Sequence, residues 1–108
     1  MKNGIYKVIF NSNVNKNGNC DGIVTINDGH LNGGDYVCYY KGVFEGKNIK
    51  LNVVRHNPHD TTVFNGVDNV VLDLIVNEMT GGGVFDGKVA GKPELTISGS
   101  LQFLSEIA

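Results

Sequence analysis

The chain has 108 residues, a length that fits one domain spanning 1–108 and leaves little room for a second. Hydrophobic residues make up 41% of it, charged residues only 19%, and Gly supplies 15 positions, a composition that favours turns and strands over helices. The formal net charge of -2 argues against the basic surface that nucleic-acid-binding proteins need. We therefore expect no direct nucleic-acid partner.

The sequence contains no recognisable targeting signal or membrane span. Its opening apolar run is interrupted by Lys7 and followed at once by Asn11, whereas a secretory signal needs a longer unbroken run. No segment approaches the roughly 20 apolar residues of a membrane helix. Two cysteines, Cys20 and Cys38, are too few for a disulfide framework. We expect a cytoplasmic protein with reduced thiols and no membrane partner.

Turn signals recur along the whole sequence, and apolar residues between them alternate with a period of two. This pattern predicts an antiparallel all-β domain. Asp28 and Gly29 suit a type I′ hairpin turn, in which both central residues have positive φ. The longest predicted strand covers residues 35–45. In chain order, the predicted strands cover residues 4–12, 21–28, 30–32, 35–45, 49–56, 69–77, 84–90 and 95–104.

Two segments between these strands have no clear periodicity. Residues 13–19 are a polar loop, and residues 57–68 are predicted to be an irregular crossing segment with one extended piece at 61–64. The remaining pattern is that of eight strands in nearly sequential order.

Eight sequential strands leave two unpaired edges unless the sheet closes on itself. We therefore predict an eight-stranded, mostly up-and-down barrel. Glycines within the strands, at Gly42, Gly87 and Gly99, agree with this prediction, because strongly bent strands use Gly where a Cβ would be crowded. A β-sandwich of two sheets is the alternative.

The interior of an eight-stranded barrel is either filled by side chains or just wide enough for one small ligand. The sequence leaves both possibilities open. Strands 1, 4 and 6 carry apolar residues on both faces, as Val71 and Ile75 do opposite the inward set of strand 6, and this predicts a homodimer. If a cavity exists, its candidate lining residues are Tyr36, Cys38, Tyr40, Phe44 and Phe103.

No motif predicts an enzyme, a metal site or a cofactor. His56, His59 and Asp60 carry metal-binding atoms, but Pro58 lies between them, and we interpret the segment as a surface loop. The glycines at 81–83 precede a strand rather than a helix, so they predict a hairpin connection and not a phosphate site. Cys38 lies among aromatic residues, where burial lowers the reactivity of a thiol. We expect a non-enzymatic protein.

The first half of the sequence combines several short motifs. They are Gly4-Ile5-Tyr6 with Ile9-Phe10, then Asp21-Gly22-Ile23-Val24-Thr25-Ile26, Gly33-Gly34-Asp35 and Tyr40-Lys41-Gly42-Val43. Over residues 4–56 this combination resembles the GrlR family, small bacterial negative regulators associated with type III secretion genes. Gly-Gly-Asp after a short hairpin is its most specific part, and the resemblance weakens after residue 57.

The resemblance implies a lipocalin-like eight-stranded barrel, a cytoplasmic homodimer and binding to a transcriptional activator rather than to DNA. It also implies a site for that activator at the turn after the long strand, which is acidic in the regulator that gives the family its name. Here that turn is Glu45, Gly46, Lys47 and Asn48, with one acid beside a Lys. The alternative function is a carrier or sensor of a small apolar ligand, which requires a continuous cavity in the barrel.

Overall fold

The computed structural model describes residues 1–14, 20–57 and 69–108, and every regular element within them is a β-strand. Each strand pairs antiparallel with the next, and the last pairs with the first, so the sheet is a closed barrel. The predicted eight-stranded up-and-down barrel is confirmed, and the sandwich is not formed. The strands are β1 (Gly4–Ser12), β2 (Cys20–Asn27), β3 (His30–Gly34), β4 (Cys38–Glu45), β5 (Asn48–Arg55), β6 (Asn69–Met79), β7 (Gly82–Val89) and β8 (Lys92–Ser105).

Closure of the barrel depends on the pairing of β1 with β8. Tyr6 lies opposite Phe103 and Val8 opposite Leu101 in this register. Closure gives every strand two hydrogen-bonded neighbours, so the backbone groups that an open edge would expose are paired. In the described part of the chain no helix is long and apolar enough to cross a bilayer.

Inward and outward positions alternate along the strands as the sequence predicts. Tyr6 and Phe10 of β1 are buried, and so are Leu72 and Leu74 of β6, whereas Ile75 is 50% exposed on the outer face. Successive side chains of a strand point to opposite faces of the sheet, which explains the period of two. The buried side chains of all eight strands form one continuous hydrophobic core inside the barrel.

Two-residue turns connect the strands at one end of the barrel. Asp28 and Gly29 have φ of 51° and 80°, which confirms the predicted positive φ at both positions. The other two turns at this end are residues 46–47 and 80–81. We call this end of the barrel the turn end. The opposite end, where β1, β3, β5 and β7 finish, is the loop end.

The N-terminal residues pack over the turn end. Tyr6 is 2% exposed, and its hydroxyl donates a hydrogen bond to the Lys2 carbonyl at 2.6 Å. The Lys2 ammonium lies 4.1 Å from the centre of the Phe103 ring, which meets the Tyr6 ring edge to face. The Met1 amino group lies 3.3 Å from the Glu78 carboxylate. Burial, with a smaller effect of the Glu78 charge, raises the pKa of Tyr6 above its ordinary 10.0.

The prediction that residues 35–45 form the longest strand is wrong. Strand β4 has 8 residues and begins at Cys38, while β8 is the longest strand with 14 residues. The cause is Asp35, whose carboxylate accepts hydrogen bonds from the backbone N–H groups of Val37 and Cys38, both at 2.7 Å. An Asp side chain that binds nearby backbone N–H groups favours a turn over a strand.

At the loop end, one further strand boundary is corrected, and two predicted loops lie wholly or partly outside the described residues. Strand β8 begins at Lys92 rather than at residue 95, because the chain turns over residues 90–91 alone and Val89 pairs directly with Lys92. Gly91 permits this short turn with a φ of 81°. The predicted irregular segment from residue 58 onward, with its extended piece at 61–64, lies outside the described residues, as do residues 15–19 of the predicted polar loop.

Candidate ligand cavity

The inward side chains do not fill the barrel, and a cavity of about 260 Å³ remains in its interior. All eight strands contribute to its walls, which are mostly aliphatic and aromatic, as at Val24, Leu31, Leu51 and Phe85. For scale, a dry apolar cavity of about 150 Å³ in another protein holds benzene. The space here therefore accommodates a molecule of about ten non-hydrogen atoms.

Glycines at inward-facing positions make room for the side chains of neighbouring strands. Gly42 falls between Tyr40 and Phe44 on the inner face of β4, so it contributes no side-chain volume to the interior. Gly99 lies on the inner face of β8, and a Cβ there would come within 2.6 Å of the Phe85 ring. The ring thus occupies the space that a side chain at position 99 would need.

The cavity reaches the loop end beside residues 35–37, and Asp35 determines the shape of this connection. One carboxylate oxygen of Asp35 accepts the two backbone hydrogen bonds from Val37 and Cys38, and the other accepts the hydroxyl of Tyr40. The backbone N–H of Asp35 donates to the Cys38 carbonyl at 2.8 Å. Three hydrogen bonds to one carboxylate hold the connection in a single conformation beside the cavity.

Residues that follow β5 also form hydrogen bonds to the connection at residues 35–37. The backbone N–H groups of His56 and Asn57 both donate to the Val37 carbonyl, at 2.8 and 3.1 Å. The His56 ring donates from Nε2 to the Asp35 carbonyl at 2.9 Å. These bonds join the connection between β3 and β4 to β5, so the wall of the cavity is continuous there.

The structure brings together three of the five predicted lining residues. Tyr36, Cys38 and Tyr40 line the cavity, although Tyr36 is 75% exposed because it belongs to the connection and not to β4. Phe44 and Phe103 lie towards the turn end and are not lining residues. The turn at residues 45–48 is also at the turn end, with all four residues exposed, so it is separate from the loop-end side of the cavity.

Sequence reasoning missed two kinds of lining residue. The sequence predicts Asp35 as the first residue of the strand 35–45 and as part of Gly-Gly-Asp, not as a lining residue; the available signal is an acidic residue at a strand start with Tyr40 five positions later. Cys20, which directly precedes the predicted strand 21–28, begins β2 and is a lining residue of the cavity together with Cys38. The two cysteines are not joined by a disulfide.

Neither the described side chains nor the comparisons with known proteins point to a metal site or to a known family. Within residues 1–14, 20–57 and 69–108, no group of three or more His, Cys, Asp or Glu side chains could hold a metal ion. His59 and Asp60 lie outside these ranges. No protein-family model matches the chain, and no curated protein matches it in sequence. The cavity is therefore the feature from which a function is argued.

Proposed function

We propose that this chain is a non-enzymatic binding protein that holds one small apolar molecule inside its barrel, as a carrier or sensor. The observation that supports this proposal is the cavity of about 260 Å³ with mostly apolar walls. Protein interiors are close-packed, with few voids larger than a water molecule, and an empty cavity lowers stability. A ligand that fills the space restores the missing contacts.

The size of the cavity sets the affinity that such a ligand can reach. Each buried methylene contributes about 0.8 kcal/mol, so an octyl chain gains about 6 kcal/mol before the entropic cost of binding. This corresponds to a dissociation constant no tighter than roughly tens of micromolar for an octyl ligand without polar contacts.

The test is to fill the cavity with a side chain. Val53 lines it near the loop end, and Val53→Phe should weaken the binding of 1-octanol at least about tenfold in isothermal titration calorimetry. Val84→Phe is the matched control, because Val84 is 42% exposed on the outer face of β7. Equal affinity of both variants and the wild type would contradict binding in the interior. Native mass spectrometry of freshly purified protein would reveal a ligand that co-purifies.

A second proposal is a regulatory protein that dimerises in the cytoplasm and binds a transcriptional activator, as the GrlR-like residues suggest. Apolar side chains on the outer wall support the association part. Ile23 and Tyr39 are 48% and 43% exposed, and both lie opposite Gly34, which has no side chain to separate them. Val54 is paired with Tyr39 on the other side. Ile23, Tyr39 and Val54 form one apolar strip across β2 to β5, here called the outer strip.

Charge placed on the outer strip tests the dimer. Ile23→Lys with Tyr39→Lys should convert a dimer to a monomer in light scattering, because association through the outer strip would then bury unpaired charges from both protomers. Val84→Lys on β7 should leave the dimer intact. A wild-type protein that is monomeric at all concentrations would exclude this association.

The activator contact is a separate question and is assigned to the exposed turn at residues 45–48. Expression of the chain should lower transcription from a type III secretion promoter in a reporter strain. Replacing Glu45 and Lys47 by Ala should relieve this effect, while Asp86→Ala on the outer face of β7 should not. An unchanged reporter would remove the regulatory proposal and leave the ligand-binding one in place.

A further inference from the structure

The charged residues of the cavity all have one sign. Among the described residues that line the cavity, Asp21 and Asp35 are charged and none is Lys, Arg or His; the Asp21 side chain is on the exposed face of β2, so Asp35 supplies the carboxylate beside the cavity. Arg55 occupies the position opposite Cys38 at the end of β5, but it does not line the cavity either. Within the described part of the loop end, a ligand that reaches residues 35–37 therefore meets the Asp35 carboxylate, and the His56 ring there already donates to the Asp35 carbonyl.

The hydrogen-bond donors beside the cavity are already in use. The backbone N–H groups of Val37 and Cys38 and the hydroxyl of Tyr40 all donate to Asp35. Tyr36 is 75% exposed, so water competes for its hydroxyl, and thiols are weak donors. An ionised carboxylate has about four acceptor positions, and three of those on Asp35 are taken. Among the described residues beside the connection at 35–37, what remains is the capacity of Asp35 to accept one more hydrogen bond.

We propose that the occupant is an apolar molecule of about ten non-hydrogen atoms that ends in a hydrogen-bond donor, a hydroxyl or an amine, placed beside Asp35. This inference rests on the proposed binding of a ligand in the interior. We expect a fatty carboxylate to bind less tightly, because its charge would be placed beside the Asp35 carboxylate, whose described donors are already used. The Gly-Gly-Asp motif then has two functions. Its glycines end β3, and Asp35 both shapes the connection to β4 and selects the head group of the ligand.

Three compounds with the same octyl-length chain test the head group. They are n-octylamine, 1-octanol and octanoate, and binding is measured at pH 7 by calorimetry with side-chain methyl NMR of Val53 and Leu72 to locate the ligand. The amine and the alcohol should bind at least about tenfold more tightly than octanoate. Asp35→Asn keeps an oxygen for the backbone N–H groups but removes the charge, so it should reduce this ratio to about threefold or less. Asp86→Asn on the outer face of β7 removes the same charge elsewhere and should leave the ratio unchanged.

The outcomes separate this inference from the function on which it rests. Octanoate binding as tightly as 1-octanol, with shifts at Val53 and Leu72, would overturn the head-group assignment while ligand binding in the cavity stands. Octanoate binding that is lost in Arg55→Gln would overturn it as well and would assign the head group to Arg55. If none of the three compounds shifts the two methyl signals, the proposed function itself fails.

Discussion

The turn end and the loop end of the barrel are built by different means. At the turn end, two-residue turns connect the strands, and the N-terminal residues pack against Tyr6 and Phe103. At the loop end, the connection at residues 35–37 is shaped by a partly buried network around Asp35, and the cavity reaches it. Among the described residues, the N-terminal segment packs over the turn end, whereas the hydrogen-bonded connection at 35–37 borders the cavity at the loop end.

Within this small domain, we expect the packed turn end to contribute more to stability and the side of the cavity at the loop end to contribute more to ligand binding. The fully buried side chains Tyr6, Ile26 and Val24 lie in β1 and β2, and Tyr6 and Ile26 do not line the cavity. Hydrophobic burial contributes most where packing is complete, and a hollow region can bind a ligand only if the rest of the fold compensates for it. We therefore expect equal changes at the two ends to have unequal effects.

The largest expected effect is truncation of the core at the turn end. Ile26 is 0% exposed, and Ile26→Ala should lower the free energy of unfolding by about 3 kcal/mol, since it removes packing and leaves a new void. Val53→Ala, beside the existing cavity, should cost about 1 kcal/mol. Urea denaturation of both variants measures the difference. Equal losses would show that the two ends are packed alike.

Glycine substitutions should distinguish crowding in the wall from strain in a turn. Gly99→Ala should cost about 2 kcal/mol, because its Cβ would press on the Phe85 ring and the neighbouring backbone. Gly29→Ala should cost about 1 kcal/mol, because φ is 80° there but no atom lies within 4 Å of the new Cβ. Thermal unfolding of the two variants gives the order, and the reverse order would contradict a crowded wall at Gly99.

Removing the Asp35 carboxylate should loosen the loop end. Asp35→Ala leaves the N–H groups of Val37 and Cys38 without their acceptor and should cost about 2 kcal/mol. Asp35→Asn keeps that acceptor and should cost less than about 1 kcal/mol. Amide hydrogen exchange should accelerate at Val37 and Cys38 in the Ala variant alone. Equal exchange in both variants would mean that the carboxylate does not hold this connection.

Loss of the Tyr6 hydroxyl should have a small effect. Tyr6→Phe should lower the free energy of unfolding by about 1 kcal/mol at pH 7, because the hydrogen bond to the Lys2 carbonyl is lost. The pKa of Tyr6 is raised in the folded state, so above its ordinary 10.0 the unfolded chain loses the proton first. The stabilisation is thus complete below pH 10.0 and declines above it.

The comparison of wild type and Tyr6→Phe over a pH series checks this sign. The advantage of the wild type should shrink as the pH rises above 10.0 and should stay constant below it. The remaining tyrosines and lysines are common to both proteins and cancel in the difference. An advantage that grows with pH would contradict the raised pKa.

The inward and outward faces of the barrel could be predicted because they depend on local alternation. Leu72 and Leu74 are buried and Val71 and Ile75 exposed as the pattern indicates. The cavity could be predicted only in part. Tyr36 was placed on the face of Cys38 because alternation was extended through a segment that Asp35 turns out of the sheet.

Phe44 and Phe103 show a second reason why the lining of the cavity could be predicted only in part. Both have the predicted inward position, but position along the barrel axis depends on how strands shift against one another during closure. Alternation specifies the face of a residue and not its height in the barrel. Phe103 is therefore next to Tyr6 and the N-terminal residues, away from the cavity.

The sequence by itself determined the number of strands and most of their positions and turns, because hydrophobic alternation and positive-φ turn residues act over a few neighbouring positions. It did not determine the start of β4 or the turn before β8. Only the tertiary structure decided that the interior is hollow, that Cys20 and Cys38 line the same space and that Asp35 lies beside it. These properties depend on the register of all eight strands around the closed barrel. Each of them depends on residues that are far apart in the sequence, so a pattern of neighbouring residues does not predict it.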